Sequence, residues 1–161
     1  KAGNLGIAGA ISFFTTKVMT TGEGGMITTN NKKLYKKMRS LRQYGFQDDD
    51  QTLFDKQSSN FKMNEFSAAL GLTELKRVLK AQYVIPVING TSALHLALIA
   101  SNVNKNNEVI VPDLSYVSAA NSVVYTGAIP NLVDVDEKTY SICFKPNEFR
   151  WSGKRHYKYL K

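Results

Sequence analysis

Short apolar runs with the character of β-strands alternate along this chain with longer segments of helical period, and this alternation most constrains the fold. The pattern predicts five strands, over residues 7–14, 26–29, 84–88, 108–111 and 131–135. It predicts four helices, over residues 32–44, 64–80, 92–101 and 117–125. Strands that alternate with helices are typical of an α/β domain, and we expect most of these strands to pair in parallel.

The length and composition fit an ordinary globular protein. A chain of 161 residues has room for one domain whose folding buries roughly 70% of the unfolded surface. The single cysteine, Cys143, excludes an internal disulfide and is typical of a reducing compartment. The chain shows no signal peptide and no apolar run near the ~18 residues that span a bilayer. We therefore expect a cytoplasmic protein without a membrane segment.

The net charge of +8 raises the question of a nucleic-acid partner, because a basic surface attracts phosphates. Residues 144–161 hold six basic side chains and one acidic side chain, so they carry more than half of this charge. We predict a basic tail without regular structure there. Nucleic-acid binding through the tail is an alternative that we do not favour.

A second basic cluster lies on the first predicted helix. The apolar positions Leu34, Met38 and Leu41 repeat there at i, i+4 and i+7, so most of the basic residues between 32 and 42 are interpreted as the solvated face. A stripe that contacts nucleic acid is the alternative. The aspartates at 48–50 and 55 disfavour it, because they would repel phosphate.

The segment 87–98 reads VINGTSALHLAL and predicts a buried strand, a glycine turn and a helix with hydroxyl groups in its first turn. The amides at the start of a helix and the positive end of its dipole attract anions, and Thr91 and Ser92 add hydroxyl donors. The segment therefore indicates an anion site. The alternative is that Thr91 or Ser92 serves only as the N-cap. His95 is interpreted as a half-buried or core residue rather than a catalytic one.

Lys17 directly follows the first predicted strand and precedes a loop rich in threonine and glycine. An amine that is partly desolvated at such a strand end favours its neutral form and becomes nucleophilic. The alternative is an ordinary exposed lysine in a loop.

Five separate motifs run through residues 12–142. They read SFFTTKVMTTGEGGMITTN at 12–30, LRQYGF at 41–46, SSNFKMNEFSAALGLTELKR at 58–77, NGTSALHLAL at 89–98 and EVIVPDLSYVSAANSVVYTGAIPNLVDVDEKTYSI at 108–142. Together they resemble the pyridoxal-phosphate-dependent sugar aminotransferases of the DegT/DnrJ/EryC1/StrS family, which share the fold of aspartate aminotransferase. The resemblance implies a three-layer α/β/α large domain with a mostly parallel sheet, incomplete and without the family's small C-terminal domain.

Within that domain, the resemblance implies a cofactor-lysine half at 1–80 and a phosphate-helix and ring-stacking half at 81–143. The order is permuted, because the family's phosphate-helix and aromatic segments precede its lysine segment, whereas here they follow it after a junction at 78–82. The family's Glu-Asp-x-Ala motif, whose aspartate pairs with the pyridine nitrogen, has no match in this sequence. Asp113, Asp134 and Asp136 are not assigned to that role.

The resemblance also implies roles for residues around the cofactor. Lys17 would form a Schiff base with pyridoxal 5'-phosphate and then move a proton between cofactor and substrate. Ser12 would bind the cofactor's phosphate through its hydroxyl, and Thr91 and Ser92 match the helix N-terminus that holds the same phosphate. The loop at 23–25 would shape the approach to Lys17.

Two further residues match family positions. Tyr116 aligns with the aromatic residue that stacks on the pyridine ring, and its alternative is a core tyrosine. Asn60 matches the asparagine that family members donate to the phosphate of the neighbouring subunit, which implies a homodimer.

The implied reaction moves an amino group, from glutamate, to a nucleotide-linked keto-sugar. The alternative is a catalytically inactive remnant that binds pyridoxal phosphate or phosphate, or that pairs with a complete subunit.

Overall fold

The computed structural model describes residues 6–46, 53, 57–78, 82–139 and 142, and the predicted tail at 144–161 lies outside them. The chain divides into two compact units, one up to Asn102 and one from Val103 onward. The first unit contains β1 (Gly9–Ser12), β2 (Gly25–Thr29), α1 (Lys32–Arg42), α2 (Glu65–Val78), β3 (Tyr83–Val87) and α3 (Gly90–Ala100). The second contains β4 (Glu108–Pro112), α4 (Ser118–Val124) and β5 (Ile129–Val133). Each predicted strand and helix is therefore confirmed, with bounds that shift by a few residues.

The sheet of the first unit has the strand order β1-β2-β3. The central strand β2 is antiparallel to both neighbours, and all five of its residues are buried. One register row joins Ser12, Gly25 and Val87. We refer to these three residues as the Ser12–Gly25–Val87 row.

Helices cover both faces of this sheet. Alternate residues of a strand point to opposite faces, and in β2 Ile27 packs with one apolar cluster while Met26 packs with another. The Ile27 cluster takes its helical members from α1 and α3: Leu34, Met38, Leu41, Ala93, Leu96, Ala97 and Ala100. The Met26 cluster contains Ala68 of α2. The first unit therefore has the α/β/α layering that the resemblance implies.

Local sequence signals explain where α1 begins and ends. The side chain of Asn31 accepts a 3.0 Å hydrogen bond from the amide of Leu34, as expected of an N-cap. The apolar positions predicted to face the core are all buried. Gly45 has a φ of +80° and its amide donates to the Ser40 carbonyl, so a left-handed glycine follows the helix.

The second unit is built on a parallel pair of strands. β4 and β5 pair from Glu108 opposite Ile129 to Pro112 opposite Val133, and α4 connects them. Gly127, with a φ of +78°, lies between α4 and β5. A crossover through a helix is the usual connection between parallel strands.

The predicted α/β class is confirmed, and the predicted parallel pairing holds for β4 and β5. Both pairings of the first unit are antiparallel instead. For β1 and β2 the reason is the connection, a loop over 13–24 that contains no helix, because a direct return of this kind makes neighbouring strands antiparallel. Among the described residues, no helix has both the length and the apolar character needed to cross a bilayer.

Candidate functional site

The chain turns sharply at one end of the first unit's sheet, where the Ser12–Gly25–Val87 row is followed by the start of α3. Val87 ends β3, and α3 begins at Gly90 after only two intervening residues. The backbone at Gly90 lies directly against Ser12. A Cβ on Gly90 would be 2.8 Å from the Ser12 Cβ and 3.2 Å from its Oγ. The hydroxyl of Ser12 is therefore brought to the N-terminus of α3, next to the segment that the sequence indicates as an anion site.

The N-cap of α3 is Asn89, not Thr91 or Ser92, so that alternative is wrong. The Asn89 side chain accepts a 2.8 Å hydrogen bond from the amide of Ser92. The helix begins at Gly90, two residues before the predicted start, and places Thr91 and Ser92 in its first turn. The signal was present in the sequence, because asparagine is among the preferred N-cap residues.

The start of α3 has the electrostatic character of an anion site. The first turn contains no acidic residue. The helix dipole places partial positive charge at this end, and Ser12 adds a hydroxyl from β1. We name the group formed by Ser12, Gly25, Asn89 and Gly90 the Ser12 cradle.

Lys17 lies on the loop that leaves β1 immediately after Ser12. The base of this loop is closed by backbone hydrogen bonds of Phe13, which donates to the Gly24 carbonyl at 2.9 Å and accepts from the Thr21 amide at 3.1 Å. The amide of Lys17 donates to the Phe14 carbonyl at 2.9 Å, forming a tight turn. The lysine is thus carried on a loop with a fixed base.

The side chain of Lys17 is exposed in the first unit, so the amine lacks the partial burial that its place after a strand led us to expect. The physical reason is local, because the loop residues around it are themselves exposed, including Thr15, Thr16 and Val18. Burial in this loop instead falls on Phe13, which belongs to the Met26 cluster.

Asn60 is exposed, and its segment is attached to the same end of the sheet. The neighbouring Phe61 donates from its amide to the Arg42 carbonyl at 2.9 Å and accepts at 3.0 Å from the amide of Ile88. Ile88 is one residue beyond the Ser12–Gly25–Val87 row. The Asn60 side chain accepts a local bond from the amide of Lys62. The structure therefore brings the Asn60 segment to the strand-to-helix junction that forms the cradle.

His95 is half-buried on α3, as predicted. Its ring meets Phe61 edge to face, with 5.8 Å between the ring centroids. Burial lowers the pKa of His95 below its ordinary value, because the charged imidazolium loses solvation. The neutral form is therefore favoured in the folded protein.

Tyr116 belongs to the second unit and lies in the turn between β4 and α4. It is 81% exposed, so the alternative of a core tyrosine is wrong. Its carbonyl accepts a 3.0 Å hydrogen bond from the Ala119 amide at the start of α4. Tyr116 thus follows the carboxyl end of a parallel strand, where α/β proteins commonly bind ligands.

Comparison with known proteins gives a family and several relatives. The model of the DegT/DnrJ/EryC1/StrS aminotransferase family matches residues 1–81 and 77–148, and the two matches meet at the predicted junction. GDP-perosamine synthase from Caulobacter vibrioides is 46% identical over 78 residues, which are 48% of this chain and 21% of that protein. GDP-perosamine synthase from Escherichia coli O157:H7 is 44% identical over 73 residues, or 45% and 20% of the two chains.

A third relative carries a different nucleotide in its name. UDP-4-amino-4,6-dideoxy-N-acetyl-beta-L-altrosamine transaminase from Helicobacter pylori is 38% identical over 79 residues, which are 48% of this chain and 21% of that protein. The matched region spans about a fifth of the length of each of these three relatives.

Proposed function

Because the chain belongs to the DegT/DnrJ/EryC1/StrS aminotransferase family, we propose that it is part of a pyridoxal-phosphate-dependent aminotransferase that acts on a nucleotide-linked keto-sugar. The observation that carries the proposal is the Ser12 cradle, which joins a hydroxyl from β1 to the first turn of α3. The names of the relatives, which include GDP-linked and UDP-linked sugars, support the substrate class. Glutamate as the amino donor rests on the resemblance alone.

The cradle fits the phosphate of this cofactor. Gly90 and Ser12 lie so close together that a methyl group on Gly90 would not fit, which keeps the Ser12 hydroxyl near the first amides of α3. Thr91 and Ser92 lie in the same first turn. Backbone amides and hydroxyls at a helix start are common phosphate ligands. In this proposal Ser12, Thr91 and Ser92 bind the phosphate.

Lys17 would act at the other end of the cofactor. When bound, pyridoxal phosphate supplies an aldehyde for covalent attachment and a ring that accepts electrons from the substrate's C–N carbon. Nζ of Lys17 would hold the cofactor at this aldehyde carbon, with loss of water, until the amine of the donor displaces it. The freed lysine amine would then accept and return one proton, which requires its neutral form for part of the cycle. Its exposed position on a loop with a closed base leaves the amine free to reach a bound ligand.

Two further residues complete the proposal. Tyr116 would stack on the cofactor ring, and its exposure at the end of β4 leaves the ring face open for such a contact. Asn60 would donate its amide to the phosphate of a neighbouring subunit, which requires a homodimer. The side chain of Asn60 is exposed, so a second copy of the chain can reach it.

A second candidate is a protein that binds the cofactor and does not complete the reaction, alone or paired with a complete subunit. The exposure of Lys17 favours it, because the neighbouring loop residues are also exposed and do not enclose the amine as a catalytic pocket would. The two candidates differ in one measurement. Adding glutamate to the cofactor-loaded chain converts the cofactor to its amine form only if the chain carries out half of the transamination.

The experiment that tests cofactor binding is covalent trapping. The full chain is incubated with pyridoxal phosphate, reduced with borohydride and digested, and the modified peptide is identified by mass spectrometry. We expect one dominant adduct on Lys17. An adduct spread evenly over surface lysines, or none on Lys17, would contradict the proposal.

Matched lysine variants make this result specific. Lys17→Ala should abolish the dominant adduct. Lys36→Ala removes an exposed lysine of α1 and should leave the adduct unchanged. Equal labelling of wild type and Lys17→Ala would assign the reactivity to the other lysines of this basic chain.

A further inference from the structure

We propose that Gly25 and Gly90 are positioning residues whose missing side chains set the spacing of the phosphate site, so that Gly25 serves the phosphate rather than Lys17. This inference rests on the proposed cofactor. The resemblance implies a different role for the loop at 23–25, which is to shape the approach to Lys17. Gly25 instead lies against the junction between β3 and α3.

The contact at Gly25 is backbone against backbone. A Cβ built there would lie 2.3 Å from both the carbonyl carbon and the carbonyl oxygen of Asn89, and 2.7 Å from the Gly90 nitrogen. Real side chains do not approach this closely, and main-chain atoms cannot rotate away as a side-chain end can. Any residue other than glycine at position 25 therefore has to move the start of α3.

Conformational freedom does not explain this glycine. The glycines with positive φ among the described residues are Gly22, Gly24, Gly45 and Gly127. Gly25 is not among them, and it pairs regularly with both neighbouring strands. Space alone requires a glycine at this position.

Gly90, at the start of α3, also has no space for a side chain. Its missing Cβ would meet the Cβ of Ser12 at 2.8 Å. Two glycines therefore allow the chain to pass this closely over the end of the sheet: Gly25 lies against Asn89, and Gly90 lies against Ser12. This stacking sets how far the Ser12 hydroxyl lies from the first amides of α3.

A shift of the helix start would act on phosphate binding because the rest of α3 is held in place. Ala93, Leu96 and Ala97 are buried against the sheet and α1. A methyl group at position 25 would therefore displace the first turn rather than the whole helix. Hydrogen bonds need heavy-atom distances of roughly 2.7–3.2 Å and weaken steeply as their angle falls, so a small displacement of the first turn would keep the Ser12 hydroxyl and the helix amides from binding one phosphate together.

The test compares pyridoxal phosphate with pyridoxal, which lacks the phosphate. Dissociation constants for both are measured by absorbance titration of the full chain, for wild type, Gly25→Ala and Gly90→Ala. We expect wild type to prefer pyridoxal phosphate, and each variant to lose at least about tenfold of that preference, the effect of one charged hydrogen bond. Binding of pyridoxal, and its borohydride-trapped adduct on Lys17, should stay unchanged.

Gly71→Ala is the matched control. Gly71 lies in α2, its added Cβ would make only ordinary contacts of 3.4 Å or longer, and it has no positive φ. This variant should keep the wild-type preference. A Gly71→Ala variant that loses the preference as Gly25→Ala does would assign the effect to general destabilisation and overturn the inference.

The possible failures are distinguishable. If wild type binds both compounds equally, the proposed phosphate site fails, and with it the proposed function. If wild type prefers pyridoxal phosphate and a folded Gly25→Ala variant keeps that preference, the positioning role fails alone. If circular dichroism shows that Gly25→Ala does not fold, Gly90→Ala decides, because its added methyl would make a less severe contact, 2.8 Å from the Ser12 Cβ instead of 2.3 Å from main-chain atoms. An unchanged preference there overturns the inference.

Discussion

The ammonium group of Lys37 donates a 2.7 Å hydrogen bond to the carbonyl of Ala100, the last residue of α3. The same group also donates to the Ile99 carbonyl and to Oδ1 of Asn102. A cation at the C-terminus of a helix satisfies carbonyls that have no partner inside the helix and is stabilised by the dipole. Lys37 therefore ties α1 to the end of α3 opposite the cradle.

Replacing Lys37 should destabilise the first unit. Lys37→Met keeps the length of the side chain and removes the charge and its three hydrogen bonds, so we expect a loss of about 1–2 kcal/mol in the free energy of unfolding. Lys36→Met, on the exposed side of α1, should change it by less than about 0.5 kcal/mol. Urea denaturation of the full chain measures both. Equal losses in the two variants would show that the contact contributes nothing specific.

Gly22 and Gly24 both have a positive φ, but only Gly24 also lacks space for a side chain. Gly22 has a φ of +83° and open space around its Cα, whereas Gly24 has a φ of +148° and an added Cβ would lie 2.3 Å from Cε of the buried Met63. Gly22→Ala should therefore cost only backbone strain, about 1 kcal/mol. Gly24→Ala should cost about 2–3 kcal/mol, because it adds a clash to a backbone region used almost only by glycine. Urea midpoints in the reverse order would contradict this assignment.

The elements of this fold follow from local patterns, which is why the sequence predicts them. Leu34, Met38 and Leu41 mark the buried side of α1 by their spacing alone. Asn64, which directly precedes α2, accepts a 2.9 Å hydrogen bond from the Ser67 amide, as expected of an N-cap residue. Both features involve residues within two helical turns of each other, so the information is contained in a short window of sequence.

The arrangement of the site depends on contacts between distant parts of the chain, and those are not visible in the pattern. The sequence indicates an anion site at Thr91 and Ser92, but the contact of Gly25 with Asn89 exists only once β2 lies beside β3. Lys37 is grouped by its period with the solvated face of α1, yet it reaches the end of α3. Periodicity separates buried from exposed positions and does not identify the partner of a long side chain.

His95 should make stability depend on pH below neutrality. Burial lowers its pKa in the folded state below the ordinary 6.5. The unfolded chain therefore binds more protons as pH falls through that value, and the folded state loses stability relative to it. The loss begins near the unfolded pKa and levels off below the folded one. His95→Gln removes this contribution, so the fall in urea midpoint between about pH 7.5 and about pH 5.5 should be smaller in the variant than in wild type. An identical fall in both proteins would show that other groups carry the dependence.

Ser12→Ala tests the hydroxyl of the cradle without changing its spacing. Alanine keeps the Cβ that lies against Gly90, so the start of α3 should stay where it is, and only the hydroxyl donor is lost. We expect the affinity for pyridoxal phosphate to fall about tenfold or more, the effect of one hydrogen bond to a charged group. The affinity for pyridoxal should not change, because that ligand has no phosphate to bind.

Ser40→Ala is the matched control for this measurement. Within the part of the chain that the structure describes, the Ser40 hydroxyl is buried on α1 and has no hydrogen-bond partner. Removing an unpaired buried hydroxyl is neutral or stabilising, so this variant should bind both compounds as wild type does. If Ser12→Ala weakens pyridoxal phosphate and pyridoxal equally, the hydroxyl does not act on the phosphate, and the donors at the start of α3 would have to hold it without Ser12.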